Sequence, residues 1–256
     1  MEIFDFHLHP LYDFHAKAME NGDFVSKLRD TGVTFCAGSP INRNLPSARA
    51  EEYGEIIREL NSKAYLFHSE YPDFYTPGLH VHPNFVEISC LEVEKYADLG
   101  VRLVGELVYY LMSWRDYSSR SLYEILRVAA DRGLALSIHP SVHDATEMER
   151  LVSSLPDMDI VIAHLDGYGL YEWSVDLMKK HKNVFFDISA HGATREGMLL
   201  DAVNRVGEDR LLYGSDFPGY DTLPFINAVL RSGLTDDQCE AVFYKNARRI
   251  LKLDRT

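Results

Sequence analysis

The sequence is poor in cysteine, in basic charge and in long apolar runs, and each shortage removes a class of protein. Its three cysteines, Cys36, Cys90 and Cys239, are odd in number and far apart in 256 residues. They cannot form a disulfide framework and read as buried thiols of a reducing, cytoplasmic compartment. Lysine and arginine total 26 against 39 acidic residues, a formal charge of -13. So acidic a chain is repelled by nucleic acid and by anionic membrane surfaces, and neither is an expected partner. No apolar run approaches the ~18 residues of a membrane span. The opening MEIFDFHLHP lacks the basic start and apolar stretch of a secretory signal. Two catalytic signatures are also missing: no Gly-rich phosphate loop follows the first apolar segment, and no G-x-S-x-G elbow occurs anywhere.

What is present is a regular alternation. Eight β-like runs are separated by segments of helical periodicity: EIFDFHLH (2–9), VTFCAG (33–38), TPGLHVH (76–82), VRLVGEL (101–107), LALSIH (134–139), DIVIAHL (159–165), NVFFDIS (183–189) and RLLYGSD (210–216). Eight βα units in a chain of this length predict one α/β domain over residues 1–256, a closed (β/α)8 TIM barrel. The segment 47–71 is expected to be a helix capped by Ser47 and stopped before Pro72. In 120–133, Leu122, Ile125, Leu126 and Ala129 fall at i, i+3, i+4 and i+7 ahead of Gly133, again a helix. Alternation in the first strand predicts Phe4, Phe6 and Leu8 toward the helices, with Asp5, His7 and His9 toward the barrel interior.

The H-x-H-P sequence occurs twice, in DFHLHP and in GLHVHP. A pair of histidines one residue apart is weak evidence of a metal site. The first pair has company: Glu106, His139, His164 and Asp216 fall at or near the ends of strands four, five, six and eight. In a barrel these converge with His7 and His9 on one mouth, and four imidazoles with two carboxylates suit Zn2+ or a similar divalent cation. The longest irregular segments, 37–46 and 109–119, follow strands and should wall the same mouth. There Arg43 and Arg115 could bind a carboxylate or phosphate, and Tyr109, Tyr110, Trp114 and Tyr220 could pack on a ring. His191, just beyond DIS, is a further candidate to reach substrate.

DFHLHP, the strand-end His139 and His164, LLYGSDFP (211–218) and KNARRIL (245–251) together resemble the metal-dependent amidohydrolase superfamily over essentially the whole chain. The branch it is most similar to holds amidohydrolase-related hydrolases and aminocarboxymuconate semialdehyde decarboxylase. That resemblance implies His7, His9 and His139 as metal ligands, and Asp216 as both metal neighbour and proton acceptor. His164 would be a second ligand or the group that polarises substrate and orients water. Asp5 would support the ligands from behind. The GEL at 105–107 is more like the TatD-like hydrolases, whose fourth-strand Glu bridges two metals; Glu106 is either such a ligand or a partner of Arg102 or Arg115. The implied cofactor is one or two divalent ions, Zn2+ first, with Mn2+ or Fe2+ as alternatives. The implied activity is metal-dependent hydrolysis of a small-molecule amide, ester, lactone or phosphoester. Non-oxidative decarboxylation on the same scaffold is the alternative, and a non-catalytic metal-binding barrel the remote one. Members of the branch often form homodimers. The resembling families have no recurrent ligand on the third strand, so His80 and His82 are expected to be structural.

Overall fold

A computed structural model of the protein describes residues 1–11, 19–41, 49–114, 117, 119–140, 145–190 and 195–253. Eight strands, Phe4–Leu8 (β1), Phe35–Gly38 (β2), Tyr75–Leu79 (β3), Leu103–Leu107 (β4), Ala135–Ile138 (β5), Ile160–Ile162 (β6), Val184–Asp187 (β7) and Leu211–Leu212 (β8), pair in parallel in chain order. The segment after β8 returns to β1. Phe6 N–H donates to Tyr213 O at 3.0 Å, Asp216 N–H to His7 O at 2.7 Å, and His9 N–H to Phe217 O at 2.8 Å. The sheet thereby closes into a (β/α)8 barrel with its edges paired. The strands are shorter than the apolar runs that announced them. In 210–216, for example, only Leu211–Leu212 pairs regularly, and the rest bends across the mouth to reach β1.

The helices are Asn21–Asp30 (α1), Tyr53–Glu70 (α2), Val86–Asp98 (α3), Arg120–Asp131 (α4), Ala145–Ser154 (α5), Tyr171–Lys180 (α6), Met198–Val206 (α7), Thr222–Leu230 (α8), Asp236–Glu240 (α9) and Asn246–Ile250 (α10). The four apolar positions expected on α4 are all buried, and Ser119 caps the helix by accepting from Leu122 N–H at 3.2 Å. Helix α2 ends before Pro72 as expected but starts at Tyr53, after a short 3-10 turn; Ser47 lies outside the described residues. No helix among the described residues is long and apolar enough to cross a membrane.

Phe4, Phe6, Ala37, Leu103, Ala135, Val161, Phe185 and Leu212 form one apolar cluster with Ala247, Ile250 and Leu251. Side chains from seven strands can meet in this way only inside a closed barrel, so this cluster is its lower interior. Helix α10 plugs that end, held by an Arg248–Glu2 ion pair and by bonds from Arg249 to Asp209 O and from Lys252 to Gly133 O. Leu8, Leu79, Val104, Leu136, Ile138, Ile162 and Phe186 belong to the larger cluster that packs against the helices.

Phe4 and Phe6 were expected to face the helices and instead fill the interior. The reason is a register slip. Asp5 pairs with Cys36 and Leu8 with Gly38, so three steps along β1 match two along β2, and the extra residue forms a bulge. Below it Phe4 and Phe6 point inward; above it His7 and His9 do. β4 repeats the device. Val104 pairs with Leu136 and Leu107 with Ile138, leaving the extra residue at Gly105–Glu106 and bringing the Glu106 carboxylate inward.

Candidate metal centre

The two bulges and the upper ends of the other strands put seven ionisable side chains at the mouth. His7 and His9 come from β1 and Glu106 from β4. His139 follows β5, His164 follows β6, Asp187 ends β7 and Asp216 follows β8. Glu106 sits at the centre: its Oε2 is 3.4 Å from both His7 Nε2 and His9 Nε2, and its Oε1 is 3.0 Å from His139 Nδ1. Asp216 Oδ1 lies 3.2 Å from His9 Nε2 and 3.8 Å from His7 Nε2. Asp187 Oδ2 takes His7 Nδ1 at 2.7 Å. Three ligand trios result: His7, His9 and Asp216; Glu106, His139 and His164; and His7, His164 and Asp187.

Buried hydrogen bonds lock the rings. His9 Nδ1 donates to Ser39 O at 2.9 Å, and His164 Nδ1 lies 2.9 Å from Ser189 Oγ. Ser189 Oγ in turn donates to Asp187 Oδ1, which also accepts from His164 N–H at 3.1 Å. The backbone is bent to the same end: His164 and Asp216 have φ of 61° and 64°, a region that residues with side chains rarely enter. Gly214 fits beside this ring because a Cβ there would stand 2.7 Å from His7 Cβ. Asp5 is fully buried behind β1, accepting from Ser215 N–H at 3.0 Å and Ser215 Oγ at 2.6 Å, and thus anchors the segment that carries Asp216. Burial pushes the Asp5 carboxyl up to about 7.

Charge in the cluster is shared between carboxylates and imidazoles. Burial opposes charge on His7, but the Asp187 and Glu106 carboxylates outweigh it and hold the imidazole well above its usual range. Burial opposes charge on His9 too, and bonds to Asp216 and Glu106 raise it to about 9. Glu106, despite complete burial, is held well below the usual carboxylate range by His7 and the His139 bond. Burial, with His7 and His139 close by, lowers His164 to about 4. The carboxylates therefore gather protons onto His7 and His9, the role a divalent cation fills by displacing those protons. The donor set fits such an ion, with His7, His9, Glu106, His139, His164 and Asp216 available to hold it. Asp187, which the sequence reading passed over, belongs to the same cluster. Its signal was its place as the last residue of β7, at the strand end where the other donors lie.

The amidohydrolase family model matches residues 4–253. The chain belongs to the amidohydrolase family. No curated protein matches it by sequence. Among solved structures, a 2,6-dihydroxybenzoate decarboxylase complexed with 2,6-dihydroxybenzoate superposes with a TM-score of 0.80 at 16% identity, covering 99% of this chain and 100% of that one. A dihydroxybenzoic acid decarboxylase from a Polaromonas species, with bound manganese and 2-nitroresorcinol, gives 0.75 at 14% identity over 100% and 98%. The 5-carboxyvanillate decarboxylase of Sphingomonas paucimobilis gives 0.75 at 13% identity over 98% and 99%. At such identities the likeness is one of fold.

Over the donor cluster of this amidohydrolase the mouth opens into two adjoining lobes of about 230 and 500 Å3, which share Tyr110, His139, His164, Asp216 and Tyr220. Tyr168 and Arg195 line the larger lobe, where Arg195 pairs with Asp166 at 2.6 Å. Tyr109 and Trp114, expected at the mouth, are buried instead, both packed edge-on to Tyr117. A tight turn after β4, in which Met112 and Trp114 N–H bond to Tyr109 O, rolls these two rings into the core and leaves Tyr110 facing the cavity. Arg43, Arg115 and His191 lie outside the described residues. His80 and His82 join none of the ligand trios. Their Nε2 atoms donate to Pro40 O and Met112 O, pinning the segments after β2 and β4.

Proposed function

We propose that this amidohydrolase is a metal-dependent, non-oxidative decarboxylase of a small aromatic or unsaturated carboxylic acid. The observation that carries the reading is Asp216, the most exposed carboxylate of the cluster, on the wall of a cavity ringed by tyrosines. Its side chain is 20% exposed, against 4% for Glu106 and 0% for Asp187. Decarboxylation needs one proton at the carbon that loses CO2. The C–C bond breaks, its electron pair stays with the carbon skeleton, and hydrogen replaces the carboxylate. Asp216 stands where it can hold that proton beside substrate, while His9 at 3.2 Å steadies its carboxyl. Tyr110, Tyr168 and Tyr220 offer flat apolar faces with polar tips to a planar acid. A bound divalent cation supplies the positive charge that neutralises and orients the substrate carboxylate. His164, kept neutral, presents its Nε2 to the same space. The decarboxylases among the solved structures of like fold support the reading.

Hydrolysis is the second reading, because the ligand trios offer places for two ions and Asp216 could equally take a proton from water. One experiment separates them. Protein loaded with Mn2+ or Zn2+ is offered hydroxybenzoates and unsaturated acids, and CO2 is measured against product; one CO2 per product is expected. Turnover of a lactone, ester or amide with no CO2 from any acid would move the assignment to hydrolysis.

A further inference from the structure

The hydroxyl of Ser189 stands among three buried groups. It lies against Asp187 Oδ1, 2.9 Å from His164 Nδ1 and 3.1 Å from His7 Nδ1. A hydroxyl has one proton to give, and the surroundings of Asp187 decide where it goes. Oδ1 accepts from the backbone N–H of His164 at 3.1 Å and of Ser189 at 3.0 Å, and Oδ2 from His7 Nδ1 at 2.7 Å. With donors on both oxygens, this carboxylate carries no proton of its own, and the Ser189 O–H completes the set. Ser189 Oγ then turns its lone pairs to the rings, so the proton between it and His164 belongs to Nδ1. In the neutral ring Nε2 is left bare. Asp187 thus holds His7 directly and reaches the ring of His164 through Ser189.

Nε2 lies on the opposite edge of the His164 ring and faces the cluster. It is 4.0 Å from Glu106 Oε1, and His164 lines both lobes of the cavity. Two acceptors face each other across that gap. What enters it must bring positive charge or a donated hydrogen, as a divalent cation or the O–H of a hydroxylated acid does. The carboxylate of a plain acid brings neither. In water a neutral histidine keeps its proton mainly on Nε2, the wrong nitrogen for this task, and the bond to Ser189 reverses that preference.

We propose that Ser189 is a positioning residue: it relays the Asp187 carboxylate to His164 Nδ1 and so holds a bare Nε2 toward the cavity, as the acceptor for a divalent cation or for the hydroxyl of a hydroxylated aromatic acid. The tautomer is independent of the metal-dependent reading above, whereas the use made of Nε2 rests on it.

The tautomer is read in long-range proton–nitrogen correlation spectra of chelator-treated protein at about pH 8, above the ordinary histidine range. The His164 signals are assigned by their loss in His164→Asn. Wild type should hold more than about nine-tenths of the ring with its proton on Nδ1, and Ser189→Ala less than about half. Ser189→Thr, which keeps the hydroxyl, should restore the wild-type tautomer. Ser39→Ala, which removes a different buried serine bond at the mouth, should leave it in place. Wild type with its proton on Nε2, or a Ser189→Ala tautomer that does not move, overturns the inference. Mn2+ is then titrated into wild type and Ser189→Ala, and salicylate and benzoate into the loaded proteins. Ser189→Ala should lose about tenfold in Mn2+ affinity where Nε2 takes the cation, or in salicylate but not benzoate affinity where it takes the hydroxyl. Loss of neither overturns the role given to Nε2. Wild type that binds neither Mn2+ nor either acid overturns the metal-dependent reading, with the tautomer still decided by the spectra.

Discussion

At the end of β1 the chain reads FHLHP and just past β3 it reads LHVHP, yet the two histidine pairs meet different partners. The rings of His7 and His9 face carboxylates: Asp187, Glu106 and Asp216. The rings of His80 and His82 face main-chain carbonyls, and His80 Nδ1 has no partner among the described residues. Carboxylates bring charge that outweighs burial, so His9 rises to about 9. Carbonyls bring only dipoles, so burial wins and His80 falls to about 4. The same H-x-H-P pattern thus yields a carboxylate-facing pair in one place and a loop pin in the other. What surrounds an imidazole decides its chemistry.

The comparison can be broken from its strongest side. His7→Ala should abolish stoichiometric metal binding and lower turnover on the order of 10³-fold, read by metal analysis and CO2 release. The same substitution at His82 should leave metal content and turnover within about twofold; a comparable loss there would erase the distinction. Asp216→Asn should lower turnover about 10²–10³-fold with most of the metal retained, because it removes the proton carrier and one of several donors.

His80 sharpens the contrast through pH. Its folded-state value, about 4, lies below the 6.5 of an unfolded histidine, so the neutral ring is the form the fold accepts. The stabilisation is complete above pH 6.5 and is lost as pH falls through the window down to about 4. Over that window it amounts to about 3 kcal/mol at most. Urea midpoints of chelator-treated protein should therefore fall more steeply from pH 7 to pH 4 in wild type than in His80→Gln. Parallel profiles would show that His80 is not held neutral by the fold. A smaller loss than that of His7→Ala is expected from Asp187→Asn, which loosens the orientation of His7 without removing a ring. Metal affinity should drop about 10–100-fold, and wild-type affinity would show that the 2.7 Å bond is dispensable.

Much of the architecture was legible because it rests on local pattern. The alternation of apolar runs with helical periodicity located all eight strands, and Leu122, Ile125, Leu126 and Ala129 fixed the buried face of α4. The convergence of His7, His9, Glu106, His139, His164 and Asp216 followed from strand-end positions in a barrel. Other features were not legible. Alternation alone sent Phe4 and Phe6 to the wrong face, since a bulge is a property of two paired strands and leaves no mark in one of them. Asp187 escaped notice because a lone aspartate after FF has no motif. Tyr109 and Tyr110 are identical neighbours, and only the turn after β4 sends one to the core and the other to the cavity.

The sequence by itself determined the class of the molecule: eight βα units, an acidic chain with few cysteines, and imidazoles and carboxylates placed at strand ends. Those are consequences of composition and short-range periodicity, which each segment carries alone. Tertiary structure decided which of two equal H-x-H-P segments joins the cluster, which carboxylate holds which ring, and which tyrosines wall the cavity. Register slips in β1 and β4, and the closure of β8 on β1, depend on the partner strand, and no segment can encode its partner's position unaided.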